Sequence, residues 1–330
     1  MVASKAVKES RRVVVLGTGG TIAGRSTQPG DNIGYTAAEV GVSELLGGIE
    51  VAGVTLQSEQ VAQVDSKDMD FAIWQRLAAR CAHWLVQPDV VGLVITHGTD
   101  TLEETAFFLH STLRSQKPVV LTCAMRPATS LSPDGPQNVR DAVVVAATAN
   151  ASGVLAVCAG VIHGALDVQK VHTYRLDAFS SGDAGPIGYV EEGAVRSVRS
   201  WPSTSTQWSP AEIDAVSGAS AAPRVEIMLS HAGASGAIVD SLVREHAVGG
   251  TDAVQGLVLA ATGNGTLHHA LEAAALRAQA AGIAVLRATR CSNGRILPKP
   301  GDALRDAGGL SPVKARIALM LELLTRQPSR

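Results

Sequence analysis

Two hydroxyls, Thr18 and Thr21, lie in the run Leu-Gly-Thr-Gly-Gly-Thr-Ile-Ala-Gly at 16–24, directly after an apolar stretch at 13–16. Glycine lets the chain turn sharply at a strand end and come close to a ligand, so these hydroxyls are held by backbone rather than on a mobile stem. A hydroxyl held in this way can attack a carbonyl carbon and form a covalent ester, dividing one difficult hydrolysis into two easier steps. A second polar run, Ile-Thr-His-Gly-Thr-Asp-Thr at 95–101, follows another apolar stretch at 90–95 and sets Thr99 beside Asp100. Ser66 opens a third polar segment, and Lys170 ends a fourth, Asp-Val-Gln-Lys at 167–170. A serine at a helix start can hold a carboxylate, whereas a lysine in a polar segment such as 167–170 ordinarily faces solvent. His97, just before the glycine of the second run, is read as structural rather than as a base.

Such segments need a scaffold that brings several strand ends to one place. Apolar runs of strand length alternate with runs of helical period: 13–16 then 37–46, 90–95 then 102–113, 119–123 then 139–149. This is the pattern of a mostly parallel sheet covered by helices, in which ligands bind outside the carboxyl ends of the strands. Ser66 is expected to cap a helix running to about 84, with Asp68 and Asp70 in its first turn, and Thr101 with Glu103 and Glu104 to open the next. From about 192 to 223 the chain is rich in Ser, Thr, Pro and Ala, the composition of a linker. Beyond it the alternation resumes with strands at 225–229, 256–260 and 283–287 and helices at 237–246 and 267–281. A last helix at 312–325 has Ser311 as cap and Pro312 at its first position. The expected domains are therefore 1–200 and 223–330, joined by a linker at 201–222.

With 330 residues, 46% of them hydrophobic, the chain can build two sizeable cores. A formal net charge of −2 without blocks of like charge indicates neither nucleic acid nor a membrane surface as partner. No stretch of about 18 apolar residues suggests a membrane-spanning helix. The polar segment at 1–12 precedes an apolar run too short for a signal-peptide core, and a cytoplasmic location is expected. Cys81, Cys123, Cys158 and Cys291 are scattered without zinc-ligand spacing and read as buried free thiols. His268 and His269, adjacent on an expected helix, would point about 100° apart. Gly17 and Gly19 have the spacing of a dinucleotide fingerprint, but Ile22 occupies its third glycine position.

Taken together, Thr-Gly-Gly-Thr-Ile-Ala-Gly at 18–24 and His-Gly-Thr-Asp-Thr at 97–101 resemble the bacterial-type L-asparaginases, closer to the type II branch of the asparaginase/glutaminase family. Further matching stretches are DSKDM at 65–69, AMRP at 124–127, SPDGP at 132–136, DVQK at 167–170 and GNG at 263–265, so the resemblance spans nearly the whole chain. It implies an α/β fold of two domains, the larger N-terminal one with a mostly parallel sheet and the smaller C-terminal one doubly wound and flavodoxin-like. It implies hydrolysis of L-asparagine to L-aspartate and ammonia without metal or organic cofactor, with L-glutamine as the alternative substrate. It also implies a homotetramer, a dimer of intimate dimers, whose sites lie between the N-domain of one subunit and the C-domain of another. Carried over by position, Thr21 is the nucleophile and Tyr35 its neighbour on a closing loop, while Thr99, Asp100 and Lys170 form the second catalytic group. Ser66 and Asp100 would bind the α-carboxylate and α-amino group, Gly20, Gly98, Thr99 and Ala124 would line the substrate through their backbone, and Asn264 would reach a neighbouring subunit's site.

Departures from the family pattern are as informative. Lys67 stands where many relatives carry Gln or Glu; a cation there is expected to strengthen α-carboxylate binding, the alternative being that it faces solvent. The family's glutamate that bonds the tyrosine across the interface has no counterpart in CSNGRILPKPGDALRDAG at 291–308, where Asn293, Lys299 or water would have to replace it. Ser115 replaces one of the cysteines that pair in some periplasmic relatives, in keeping with a reducing compartment. The general base stays open between Lys170 and Tyr35, since Lys170 would need its pKa lowered by roughly three units to accept a proton at neutral pH, and the neighbouring Asp100 opposes that. A non-catalytic amino-acid sensor that lost the relay glutamate is the reading from another class.

Overall fold

The computed structural model describes residues 11–28, 30–202 and 208–326. The segment at 1–10, on which the expected cytoplasmic location partly rests, and residues 203–207 of the expected linker lie outside them. Two compact units, Met1–Gln207 and Trp208–Arg330, divide the chain. No helix among the described residues is long and apolar enough to cross a membrane.

In the first unit the Val- and Leu-rich runs form β1 (Arg12–Gly19), β2 (Thr55–Val64), β3 (Val90–Thr96), β4 (Val119–Thr122) and β5 (Val154–Cys158), all parallel. Then come β6 (Val161–Gly164), a separate hairpin of β7 (Gln169–Lys170) and β8 (Phe179–Ser180), and β9 (Gly188–Glu191) with β10 (Ala194–Ser197). The eight-stranded order is β10-β9-β6-β5-β4-β3-β1-β2, antiparallel from β5 outward. Val13 and Val15 share a core cluster with Val42 of α1 (Val42–Leu45) and with Val139 and Val143 of α4 (Gly135–Ala147). Val14 and Leu16 point the other way by the two-residue alternation of a strand, yet they too are fully buried. The layer of α2 (Phe71–Leu85) and α3 (Leu102–Thr112), built around the stacked rings of Trp74 and Phe108, covers that face.

Because β1 lies between β2 and β3, the winding of the chain reverses there. The crevice outside the carboxyl ends of β1 and β3 is the switch point at which open α/β sheets take ligands. The flavodoxin-like reversal expected of the smaller domain thus belongs to the larger one. In the second unit β11 (Val225–Leu229), β12 (Gly256–Ala261), β13 (Ala284–Thr289) and β14 (Arg305–Asp306) run parallel in strict chain order. Helices still cover both faces. Val239 and Leu242 of α6 (Ala237–Val248) and Leu271 and Ala274 of α7 (His269–Ala280) pack on Leu257 and Leu259, while α5 (Pro210–Gly218) packs with α8 (Pro312–Thr325), which lies on β11, β12 and β13.

Several elements differ from the sequence reading. The helix expected at 37–46 shrinks to Val42–Leu45, because Ala38 takes a left-handed φ of 60° and Gly48 one of 77°. Ser66 does not cap a long helix: Asp65 accepts from Lys67 N and caps a single turn, Ser66–Asp68. The helix proper restarts at Phe71, where Asp70 accepts from Ile73 N. Such short carboxylates bond nearby backbone and interrupt helices. Within the expected linker, Pro210–Gly218 is helical, started by a reciprocal capping box of Ser209 and Glu212. His268 precedes α7 as its cap, and its ring stacks on His269 with centroids 4.3 Å apart instead of diverging.

Candidate active site

The turn after β1 delivers its two threonines to different tasks. Thr18, 1% exposed, donates its hydroxyl to Thr96 O at 2.9 Å and so ties β1 to β3. Thr21 opens a short 3-10 turn, is 8% exposed, and its Oγ1 lies 2.6 Å from Tyr35 Oη. Of the two hydroxyls, Thr21 is therefore the one placed to react. The loop carrying Tyr35 is closed at its base by paired backbone hydrogen bonds between Arg25 and Thr36, 2.9 and 2.8 Å. Gly20, with φ at 82°, passes so close to the turn after β3 that a Cβ on it would lie 2.2 Å from Gly98 Cα. No other residue type fits there, and this contact draws the Thr21 and Thr99 turns together.

On the β3 side, Lys170 Nζ donates to Thr99 Oγ1 at 2.8 Å and to Asp100 Oδ1 at 2.6 Å. Thr99 Oγ1 thus accepts from the ammonium, and its own hydrogen can be directed at a bound molecule; Asp100 Oδ1, 3.4 Å away, is too far for a strong bond. Lys170 comes from β7, and its backbone N–H donates to Glu103 Oε1 at 3.3 Å, which ties the lysine's strand to the first turn of α3. Capping does not account for Asp100 or Thr99: the cap of α3 is Thr101, whose hydroxyl donates to Ser66 O at 2.7 Å. Ser66, 2% exposed at the end of β2, accepts from Asp100 N at 3.2 Å. Asp100 and Lys170, with Val171, His172 and Thr173, line an open cleft. Thr99 N–H has no acceptor among the described residues and remains available to a developing oxyanion.

Ala124, fully buried, begins a turn that two polar residues hold from below. Asp134 accepts from Met125 N at 2.9 Å and Arg126 N at 3.0 Å. Asn138, 3% exposed, donates to Cys123 O and Asp134 and accepts from Ala159 N. Neither is singled out by the sequence reading, although Asp134 lies in the quoted SPDGP stretch; Asn138, in the first turns of a helix whose later residues are apolar, is the available signal. Cys123 and Cys158 meet nearby with sulfurs 3.4 Å apart, and with Cys81 they are the buried thiols, whereas Cys291 is exposed, contrary to expectation.

His97 is structural. Its Nδ1 lies 2.7 Å from Gly98 O, which can only accept, so Nδ1 carries the proton and Nε2 accepts from Thr105 Oγ1 at 2.9 Å; Thr105 in turn accepts from Trp74 Nε1. Burial lowers its pKa to about 4 despite the bond to Gly98 O. A neutral, doubly engaged imidazole locks the backbone that precedes Thr99.

Lys67, an expected substrate residue, is not brought into this group. The Lys67 ammonium bonds Asp68 at 2.8 Å and Asp65 at 3.0 Å in solvent, and these carboxylates raise its pKa; the geometry favours the solvent-facing reading. Asn264, in the second unit, closes a ring on Leu297, accepting from its N–H at 2.7 Å and donating to its carbonyl at 3.2 Å, and thereby holds the loop before β14.

A glycine-walled hydroxyl pair with a lysine-carboxylate partner at a switch point is an arrangement able to carry acyl transfer. Residues 12–202 match the family model "Asparaginase, N-terminal", and residues 224–329 match "Glutaminase/Asparaginase C-terminal domain". The chain is 37% identical to L-asparaginase 2 of Escherichia coli, covering 96% of this chain and 90% of that one. It is 36% identical to L-asparaginase 2 of Bacillus subtilis, covering 98% and 85%. Glutaminase-asparaginase of Pseudomonas fluorescens biotype A is 34% identical, with 96% and 88% covered. The crystal structure of a probable cytoplasmic L-asparaginase from Campylobacter jejuni superposes with a TM-score of 0.87 at 34% identity, covering 96% of both chains. The chain belongs to the asparaginase family and is an amidohydrolase.

Proposed function

We infer that this protein hydrolyses the side-chain amide of L-asparagine, with Thr21 as nucleophile. The observation that carries the reading is the Thr21–Tyr35 contact of 2.6 Å beside the Lys170–Thr99–Asp100 chain, set where β1 and β3 end. Thr21 Oγ1 attacks the amide carbon as its proton passes toward Tyr35, the group in direct contact. A C–O bond forms, the C–N bond breaks, and the nitrogen takes a proton and leaves as ammonia. Water then cleaves the ester to give L-aspartate and restores the threonine. Thr99 N–H stabilises the oxyanion, an effect worth about 3 kcal/mol per donor in comparable sites. Lys170 acts by holding Thr99, which its ammonium touches, and Asp100 by holding that ammonium.

Ser66 and Asp100 hold the α-carboxylate and α-amino group, and Gly20, Gly98 and Ala124 line the amide through their backbone. Both L-asparaginases and glutaminase-asparaginases are among the relatives. One methylene distinguishes the substrates and is worth only about 1 to 3 kcal/mol, so turnover of both has to be measured. A homotetramer in which Asn264 completes a neighbour's site is the proposed assembly, supported by the family resemblance; sedimentation tests it, and a monomer would exclude it. A cytoplasmic location is supported by the description of the Campylobacter jejuni neighbour, although a Haemophilus influenzae relative is named as a probable periplasmic L-asparaginase.

The deciding experiment is ammonia release from L-asparagine and L-glutamine by the protein and by its Thr21→Ala variant. Activity that vanishes in the variant supports the reading. Substrate binding without ammonia from the unaltered protein would establish the sensor instead.

A further inference from the structure

Behind the Thr21 turn lies a cavity of about 170 Å³ that the reaction does not use. Its apolar walls include Ile22, Val40, Leu45 and Val139, and its charged lining residues are Arg25, Glu44 and Arg126. Arg25 is already matched by an ion pair with Glu44. Arg126 is not: its guanidinium donates to Ser132 O at 3.0 Å, and no carboxylate pairs with it among the described residues. Arg126, a half-buried residue that lines this largely apolar chamber with most of its guanidinium donors unused, is complementary to a carboxylate on a compact apolar body. An apolar cavity of about 150 Å³ accommodates benzene, which sets the size of that body, and a guanidinium can take a carboxylate with two parallel hydrogen bonds.

We propose that this cavity binds a small monocarboxylic acid with a branched aliphatic or aromatic body, through Arg126, and that its occupancy tunes hydrolysis. The walls supply the coupling. Ile22 adjoins Thr21 in sequence, and Arg25 forms the backbone bridge to Thr36, next to Tyr35. Pro133 and Gly135 flank Asp134, which holds the turn after Ala124. A molecule pressing on these walls shifts the Thr21–Tyr35 contact. The coupling rests on the reading of Thr21 and Tyr35 given above, whereas the binding does not.

The test uses the full chain with benzoate and 3-methylbutanoate as probes and benzyl alcohol as the uncharged control, read by thermal unfolding and by KM and kcat for asparagine. Both acids are expected to raise the unfolding temperature saturably and the alcohol is not, and Arg126→Gln should weaken acid binding by about tenfold or more. Leu45→Trp, which fills the chamber from a partly exposed position, provides a second variant and should abolish binding. Equal stabilisation of Arg126→Gln, or none in the unaltered protein, overturns the site. An acid that raises KM alone and does so equally in Arg126→Gln is bound among the catalytic residues and also overturns it. Saturable, Arg126-dependent binding that leaves KM and kcat unmoved overturns the coupling. Because unfolding is read without turnover, inactivity toward asparagine would not imitate loss of this site.

Discussion

Gly98 lies directly against Ser66: a Cβ on Gly98 would stand 2.4 Å from Ser66 Oγ and 2.7 Å from its Cβ. Ser66 is therefore placed not by its own short turn alone but by the bare backbone of the turn after β3. Gly98→Ala must push the serine away and break the bond from Asp100 N. Displacements of about 1 Å cost on the order of 100-fold in turnover efficiency. The loss is expected chiefly in KM for asparagine, with Ser66→Ala giving a smaller effect. An unaltered KM in Gly98→Ala would show that Ser66 does not touch substrate.

Tyr35→Phe removes the only side-chain hydrogen-bond partner of the Thr21 hydroxyl among the described residues. A proton relay contributes typically about 100- to 10,000-fold, so kcat should fall by that order while KM changes little. A matching loss in Lys170→Met with full activity in Tyr35→Phe would assign the base to Lys170.

Lys67→Gln should leave KM for asparagine unchanged, because the ammonium is already engaged by Asp65 and Asp68. A several-fold rise in KM would mean that the side chain turns to the substrate carboxylate when the site fills.

Acid sensitivity should come in part from His97. Its pKa falls from 6.5 to about 4 on folding, because the buried ring resists charging. Below pH 6.5 the unfolded chain takes up a proton that the folded one refuses, so stability drops as pH falls toward about 4 and levels beneath it. The shift corresponds to about 3 kcal/mol. Denaturant midpoints measured between pH 7 and 4 should show this slope, and His97→Gln should flatten it.

Asp134→Ala leaves the N–H groups of Met125 and Arg126 without their acceptor, a loss of about 1 to 3 kcal/mol in stability. The freed Ala124 turn should raise KM more than it lowers kcat. A stability loss with both kinetic constants intact would limit Asp134 to a scaffold role.

Local chemistry made much of this legible in the residues. The last helix begins and ends where its pattern indicates, Pro312–Thr325, because Ser311 caps it and apolar period carries it. The strands before the Thr21 and Thr99 turns are visible for the same reason, as Val- and Leu-rich runs ended by glycine or polar residues. Where two local signals compete, pattern alone misjudged the outcome. The 37–46 run has helical period, but left-handed positions at Ala38 and Gly48 confine the helix to one turn, and Asp70 outcompetes Ser66 as the start of α2.

The sequence by itself determined which groups could react, since threonine in a glycine turn and lysine with aspartate have few other uses together, and the family pattern named their roles. Tertiary structure decided which of them meet. It set Thr18 to joining strands and left Thr21 to Tyr35, joined Lys170 to Asp100 across 70 positions, and put Lys67 on its own neighbours. It also placed the reversal of strand order in the larger sheet. Spacing along a chain reports only neighbours within a few residues, whereas a parallel sheet joins the ends of distant strands through hydrogen bonds that leave no periodic trace in the residues between them.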